Sequence, residues 1–402
     1  MNTSAENSHT RTVFYVSGFD PRGPSPYHSM LTKQFSDYCE EHGLEHETGK
    51  RKREVSGNHY WSMSARNGDT HVTNRVVFLD WGKIIRRFWV RNHLLAVFKG
   101  TWTYLKSLFF NTPWHALRVN WPIFLAMTGP LLQILVFVIP ALLGVYCLVN
   151  IVTGFHLGYV VGLVSAILAF IYLNKKMAVF NAPWVARIIR FQYHVCRRKV
   201  LENSTLPQEL ADRILETVEE TDVDEIAVIA HSIGTQMVIP IMECLLQSDS
   251  KALEEAIISE RLYLVTIGHS IPFTSRDGKY MNRALRNVGD SQIKWLDISA
   301  PTDPGCFPLV DPVKDQFGGK QRVHTLNAGL YKSFSEKTYQ NARKNRYLMH
   351  FLYLMKPDGE HAEDGDVFNL YRTLADRFSF CLGLPEEPVE VEPFFAMGRN
   401  RN

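Results

Sequence analysis

From Trp81 to Leu201 the chain contains no Asp or Glu, although fourteen Lys and Arg fall in that stretch. The remaining residues hold all 41 carboxylate side chains and are acidic on balance. The net charge of +3 therefore averages two opposite regions and says little about partners. Charge of either sign is absent between Arg118 and Lys175, a run of more than fifty positions. Cysteine pairing is also absent. The six cysteines (Cys39, Cys147, Cys196, Cys244, Cys306 and Cys381) are scattered with no CxxC, which excludes a disulfide framework and argues against a zinc site. That usage fits a reducing compartment. There is no internal repeat, low-complexity tract or Walker-type loop, and nothing implies a metal or an organic cofactor. No signal peptide opens the chain; residues 1–10 are polar and are expected to form a disordered tail.

What the uncharged run does contain is apolar length. A hydrocarbon core of about 30 Å needs about 20 residues to cross. Residues 122–150 and 154–174 both exceed that, with 150–154 as the turn, so two transmembrane helices are expected there. Pro122, Pro130 and Pro140 make a re-entrant hairpin the alternative. Basic residues flank both sides, Arg86 to Arg118 before and Lys175 to Arg198 after, which places both ends in the cytoplasm. The expectation is an integral membrane protein of the inner or plasma membrane, with a cytoplasmic catalytic part and the lipid bilayer as partner. Six of the eight tryptophans lie in the basic stretch. Residues 84–91 and 185–191 mix apolar, aromatic and basic side chains, as helices in a headgroup layer do. A basic, aromatic segment also suits nucleic acid, but its apolar centre argues against that, and no nucleic-acid partner is expected.

The chemistry concentrates elsewhere. Asp224–Ile229 reads as a buried strand, and Thr235–Met242 reads as the opening of a helix. Between them stands Ala230-His231-Ser232-Ile233-Gly234, a serine at a strand-to-helix corner with small residues two before and two after. Such a corner brings strand and helix backbones nearly into contact, so positions 230 and 234 admit almost no side chain. Ser232 is the candidate nucleophile, and the Ile233 N–H is a candidate oxyanion donor. A second donor is expected from the loop after the early strand 11–17, at the Phe19 N–H. Arg22 in that loop reads either as an anion ligand or as a surface residue. Gly268-His269-Ser270 has no glycine two beyond its serine and therefore lacks room for an elbow.

A serine hydroxyl needs a base, and the base needs a carboxylate. The strand 293–298 runs into Ser299-Ala300-Pro301-Thr302-Asp303-Pro304, which makes Asp303 the candidate acid and Asp311 its rival. Two histidines are candidate bases. His350 has Tyr353 three residues on; His361 lies in an acidic loop before the last helix. His350 is the first choice and His361 the alternative.

The Ala230–Gly234 motif, the strand ending Val265-Thr266-Ile267-Gly268, and His350 with Tyr353 together resemble lipases and esterases of the α/β-hydrolase family. The resemblance covers residues 11–81 and 205–380. It implies a mostly parallel sheet flanked by helices; the helical membrane insertion expected at 82–204 and the C-terminal tail at 381–402 lie outside it. It departs from the family in Ala230, where the first elbow glycine is usual, and in lacking two N-terminal strands. The implied function is a membrane-anchored serine hydrolase cleaving a lipid-like carboxylic ester or thioester through an acyl-enzyme. An acyltransferase using the same residues, or an inactive membrane scaffold or tether, is the alternative.

Overall fold

The computed structural model describes residues 7–135, 182–197, 200–220, 222–377 and 379–380, with single positions between 139 and 172 and at 384, 387 and 388. The chain divides into two units, Met1–Arg86 with Lys199–Asn402, and Arg87–Arg198.

The first unit is α/β. Its strands are β1 (Asn7–Val16), β2 (Glu45–Thr48), β3 (Lys52–Arg53), β4 (His59–Asn67), β5 (Thr70–Phe78), β6 (Glu225–His231), β7 (Leu262–Ile267), β8 (Lys294–Ser299) and β9 (His324–Asn327). They form one sheet in the order β2-β4-β5-β1-β6-β7-β8-β9, with β3 on β4. From β5 to β9 every neighbour is parallel. At the other end, β4 runs antiparallel to β5, β2 and β3. Burial follows composition. The apolar runs of β6 and β7 are buried at every position, as strands covered on both faces must be. On β4 only Trp61, Met63 and Ala65 are buried, the alternation of an outer strand with one face to the core. Helix α1 (Pro24–Glu41) opens on proline and packs Tyr27, Leu31 and Phe35 into the same core as Val13, Tyr15, Ile229 and Val265.

β1 lies between β5 and β6; the chain builds β2, β4 and β5 on one side of it and then crosses to β6, β7, β8 and β9 on the other. In such sheets the crevice outside the carboxyl ends of the diverging strands is where ligands bind. Val16 and Ala230 face each other there in register.

A short helix α2 (Gly82–Phe88) has its last two residues in the second unit, which is helical: α3 (His93–Ser107), α4 (Asn111–Val119), α5 (Trp121–Gln133) and α6 (Ala182–Arg197). α3 and α6 meet at Gly100, where a Cβ would stand 2.5 Å from that of Ala186. The buried Arg187 donates from Nε to the Val90 carbonyl at 2.7 Å and stacks its guanidinium over Trp89.

Among the described residues no helix is long and apolar enough to cross a membrane, and this corrects the integral membrane protein expected from the sequence. The described beginning of the first expected span is α5. It buries Ile123, Met127, Pro130 and Gln133, while Trp121, Leu125 and Leu132 are exposed. An uncharged sequence suits a helix packed within its own unit as well as one in lipid. The rest of the two expected spans lies outside the described residues, apart from single positions.

Candidate active site

Helix α7 (Leu206–Glu219) precedes β6, and α8 (Gly234–Leu246) follows it. Ser232 stands at the corner between β6 and α8, with φ of +59°. Among the described residues only two other non-glycines, Glu260 and Leu309, share a positive φ. The conformation disfavours a side chain, and local contacts impose it. The Ser232 N–H donates to the Ile267 carbonyl at 3.0 Å. The Ser232 carbonyl accepts from the Thr235 N–H at 3.0 Å, from Thr235 Oγ1 at 2.6 Å and from Ser270 Oγ at 3.2 Å. Gly234 shows why the motif's spacing matters, since a Cβ there would lie 2.4 Å from the Val16 carbonyl oxygen and 2.6 Å from that of Ser17. Ala230 is fully buried opposite Val16, and its methyl fits.

Asp303 and His350 meet beside the end of β7. His350 lies near the end of the short helix Arg346–Phe351 and is 3 % exposed; Asp303 lies in the loop after β8 and is 1 % exposed. His350 Nδ1–H donates to Asp303 Oδ2 at 2.6 Å. Tyr353, in the 3-10 turn Leu352–Leu354, donates its hydroxyl to the same oxygen at 3.0 Å. The Gly305 N–H donates to Oδ1 at 2.8 Å. Any larger residue at 305 would collide with the pair, because a Cβ there would lie 2.9 Å from His350 Nδ1. Burial alone would raise the Asp303 pKa, but the charge and hydrogen bond of His350, with the Gly305 N–H, hold it below the ordinary value.

Ser232 and the pair border the same strand end. Ser232 is bonded to Ile267, and the next residue, Gly268, would carry a Cβ 3.3 Å from both Asp303 Oδ2 and His350 Cε1. Among the described residues Ser232 Oγ closes no hydrogen bond to His350. In unliganded sites that contact is commonly long and tightens with substrate. The Ile233 N–H, at the start of α8, donates to no acceptor among the described residues. Across the crevice, Phe19 is buried with its ring 6.2 Å from that of Trp81, and Trp81 Nε1–H holds the Ser17 carbonyl at 2.9 Å. Arg22 does not reach outward alone, since its Nε and Nη2 donate to the buried Asp20 carboxylate at 2.9 and 2.6 Å.

The rival residues lie in other roles. His361 is exposed and pairs with Asp364 at 2.9 Å. Asp311 accepts four backbone N–H groups, from Val313, Lys314, Arg322 and Val323, and so caps a helix and pins a loop. Neither meets Asp303 or His350 through a hydrogen bond. The second Gly-His-Ser is structural. Ser270 ties the elbow carbonyl, and Gln236 donates to both Ser270 oxygens.

Three contributors escaped sequence reasoning in their actual roles. Tyr353 was legible only as a spacing, and Gly305 gave no signal beyond a loop glycine. His231 does more than shape the elbow. Its Nε2–H donates to the His350 carbonyl at 3.0 Å, tying the neighbour of Ser232 to the backbone of His350. Complete burial, with the positive charge of His350 adding to it, pushes its pKa down to about 3, so the ring stays neutral. A cavity of about 290 Å³ lies at the opposite ends of β7, β8 and β9, lined by Glu260, Lys294, Trp295 and His324, and contains none of these residues. No family model matches the chain, and neither a curated protein nor a solved structure matches it.

Proposed function

We propose that this protein is an α/β-hydrolase-like serine hydrolase that cleaves a carboxylic ester or thioester through an acyl-enzyme. The observation that carries the reading is the left-handed Ser232 at the β6–α8 corner, beside a buried Asp303–His350 pair. A strained corner and a carboxylate-bound imidazole are both costly to maintain, and nucleophilic catalysis needs both.

With Nδ1–H donated to Asp303, His350 keeps Nε2 as its basic nitrogen. Ser232 Oγ attacks the acyl carbon while Nε2 takes its proton. The oxyanion is stabilised by the Ile233 and Phe19 N–H groups and by the N-terminus of α8. Collapse breaks the bond to the alcohol or thiol, which leaves with the proton from Nε2. Water then repeats the sequence on the acyl-enzyme, regenerating Ser232 and releasing the acid. With no spanning helix among the described residues to hold the site at a bilayer, the substrate is defined by its ester or thioester bond and not by its acyl chain.

The test is turnover of p-nitrophenyl and thioester acyl substrates of graded chain length by the full chain. A pre-steady-state burst that vanishes in Ser232→Ala is expected. Equal rates in the two folded proteins, or none in either across the series, would speak for a binding protein on a hydrolase-like fold.

A further inference from the structure

Helix α3 carries apolar residues on two faces. One is its core face, where Leu94, Val97, Gly100 and Tyr104 are buried. On the other, Leu95, Phe98, Trp102 and Leu105 recur at three- and four-residue spacing, all of them exposed. Phe109 continues the line just beyond the helix end; it is 89 % exposed, and Trp102 is 62 % exposed. Lys99 and Lys106 stand beside this stripe, with Lys106 Nζ 5.1 Å from the centre of the Trp102 ring. On α4, exposed Trp114 and Leu117 repeat the composition next to exposed Arg118. Single exposed apolar side chains are ordinary, but an aligned row of aromatic and aliphatic ones marks an interaction surface.

We propose that this face of the helical unit rests on an anionic lipid surface, lying in the headgroup layer rather than crossing it. Charge decides the occupant. The stretch from Trp81 to Leu201 has fourteen basic residues and no carboxylate, so a second copy of the face would bring lysine against lysine. An anionic surface attracts exposed cations such as Lys99, Lys106 and Arg118 instead. Tryptophan flanked by lysine suits the headgroup boundary, where the ring lies among the glycerol groups and the ammonium reaches outward. The inference stands apart from the hydrolase reading and uses none of its residues.

Co-sedimentation of the full chain tests it, with vesicles of phosphatidylcholine alone or mixed with phosphatidylserine, at low and high salt. Binding to the mixed vesicles should weaken with salt. It should fall about ten-fold or more in both Trp102→Ser/Phe109→Ser and Lys99→Glu/Lys106→Glu. Circular dichroism should be unchanged, since the four side chains are exposed. Three results would overturn the proposal: no binding to the mixed vesicles, variants that bind like wild type, or a wild-type dimer that the serine substitutions dissociate. The last would identify the face as a protein interface.

Discussion

Ser232 adopts a backbone conformation that its own side chain disfavours, by about 1–2 kcal/mol for a left-handed non-glycine residue. Glycine adopts it freely. Ser232→Gly is therefore expected to raise the free energy of unfolding by about 1 kcal/mol while abolishing turnover, a trade that denaturant titration and a kinetic assay read together. A stability loss would mean that the left-handed corner is not strained. Asp303 and Tyr353 act one step further out. Asp303→Asn would leave His350 without its anionic partner and favour the wrong tautomer, lowering kcat by roughly 10³- to 10⁴-fold with little change in KM. Tyr353→Phe removes a hydrogen bond to a charged oxygen and the acceptor of the Ala300 N–H, so a much smaller loss of kcat is expected, with stability lower by about 1.5–3 kcal/mol. Comparable kcat losses in the two variants would contradict the roles given to them.

Elements were legible where one periodicity dominated. β6, β7 and β8 are short apolar runs between turn residues, and the sequence places each within about two residues of its observed bounds. β2 (Glu-His-Glu-Thr) and β3 (Lys-Arg) escaped because nothing local distinguishes them from loop; pairing with β4 makes them strands. β9 is four residues with no exclusively apolar face, held by its register with β8. The elbow was legible because a steric demand writes itself into composition, as Gly234 shows. The choice between His350 and His361 was not, because both have plausible neighbours in sequence and only the fold brings one of them to Asp303. In the helical unit, the close approach at Gly100 lets α3 and α6 pack backbone to backbone. Gly100→Leu would force them apart and is expected to cost about 1–3 kcal/mol, visible as an earlier unfolding transition. An unchanged transition would mean that this approach is not a packing constraint.

At the scale of the whole molecule, the charge asymmetry and the uncharged run were plain in the sequence, but their meaning was not. Apolar length alone does not separate a helix in lipid from one packed on its neighbours, and among the described residues no helix is long and apolar enough to span. Stability against pH is also a whole-molecule property. Above about pH 6.5, His231 is neutral folded and unfolded, so it contributes no pH dependence. As pH falls from there towards about 3, the unfolded chain takes a proton that the buried ring refuses, and stability drops. The slope from this one group approaches about 1.4 kcal/mol per pH unit. Asp303, also held low, acts in the same direction but only once pH falls below the ordinary carboxylate range of about 4. His231→Gln should therefore flatten the stability profile between roughly pH 6 and 4.5 by about one proton, as denaturant titration at each pH would show. An unchanged slope would mean that His231 accepts its proton in the folded state.

The central claim is that Ser232 is an activated nucleophile, and labelling by a fluorophosphonate tests it most directly. Full-length folded protein would be treated and the modified peptide identified by mass spectrometry, beside Ser232→Ala and Asp303→Asn. A single adduct on Ser232, absent from the first variant and much slower to form in the second, is the predicted result. Folded wild-type protein that takes no label, or takes it on another residue, would contradict the account.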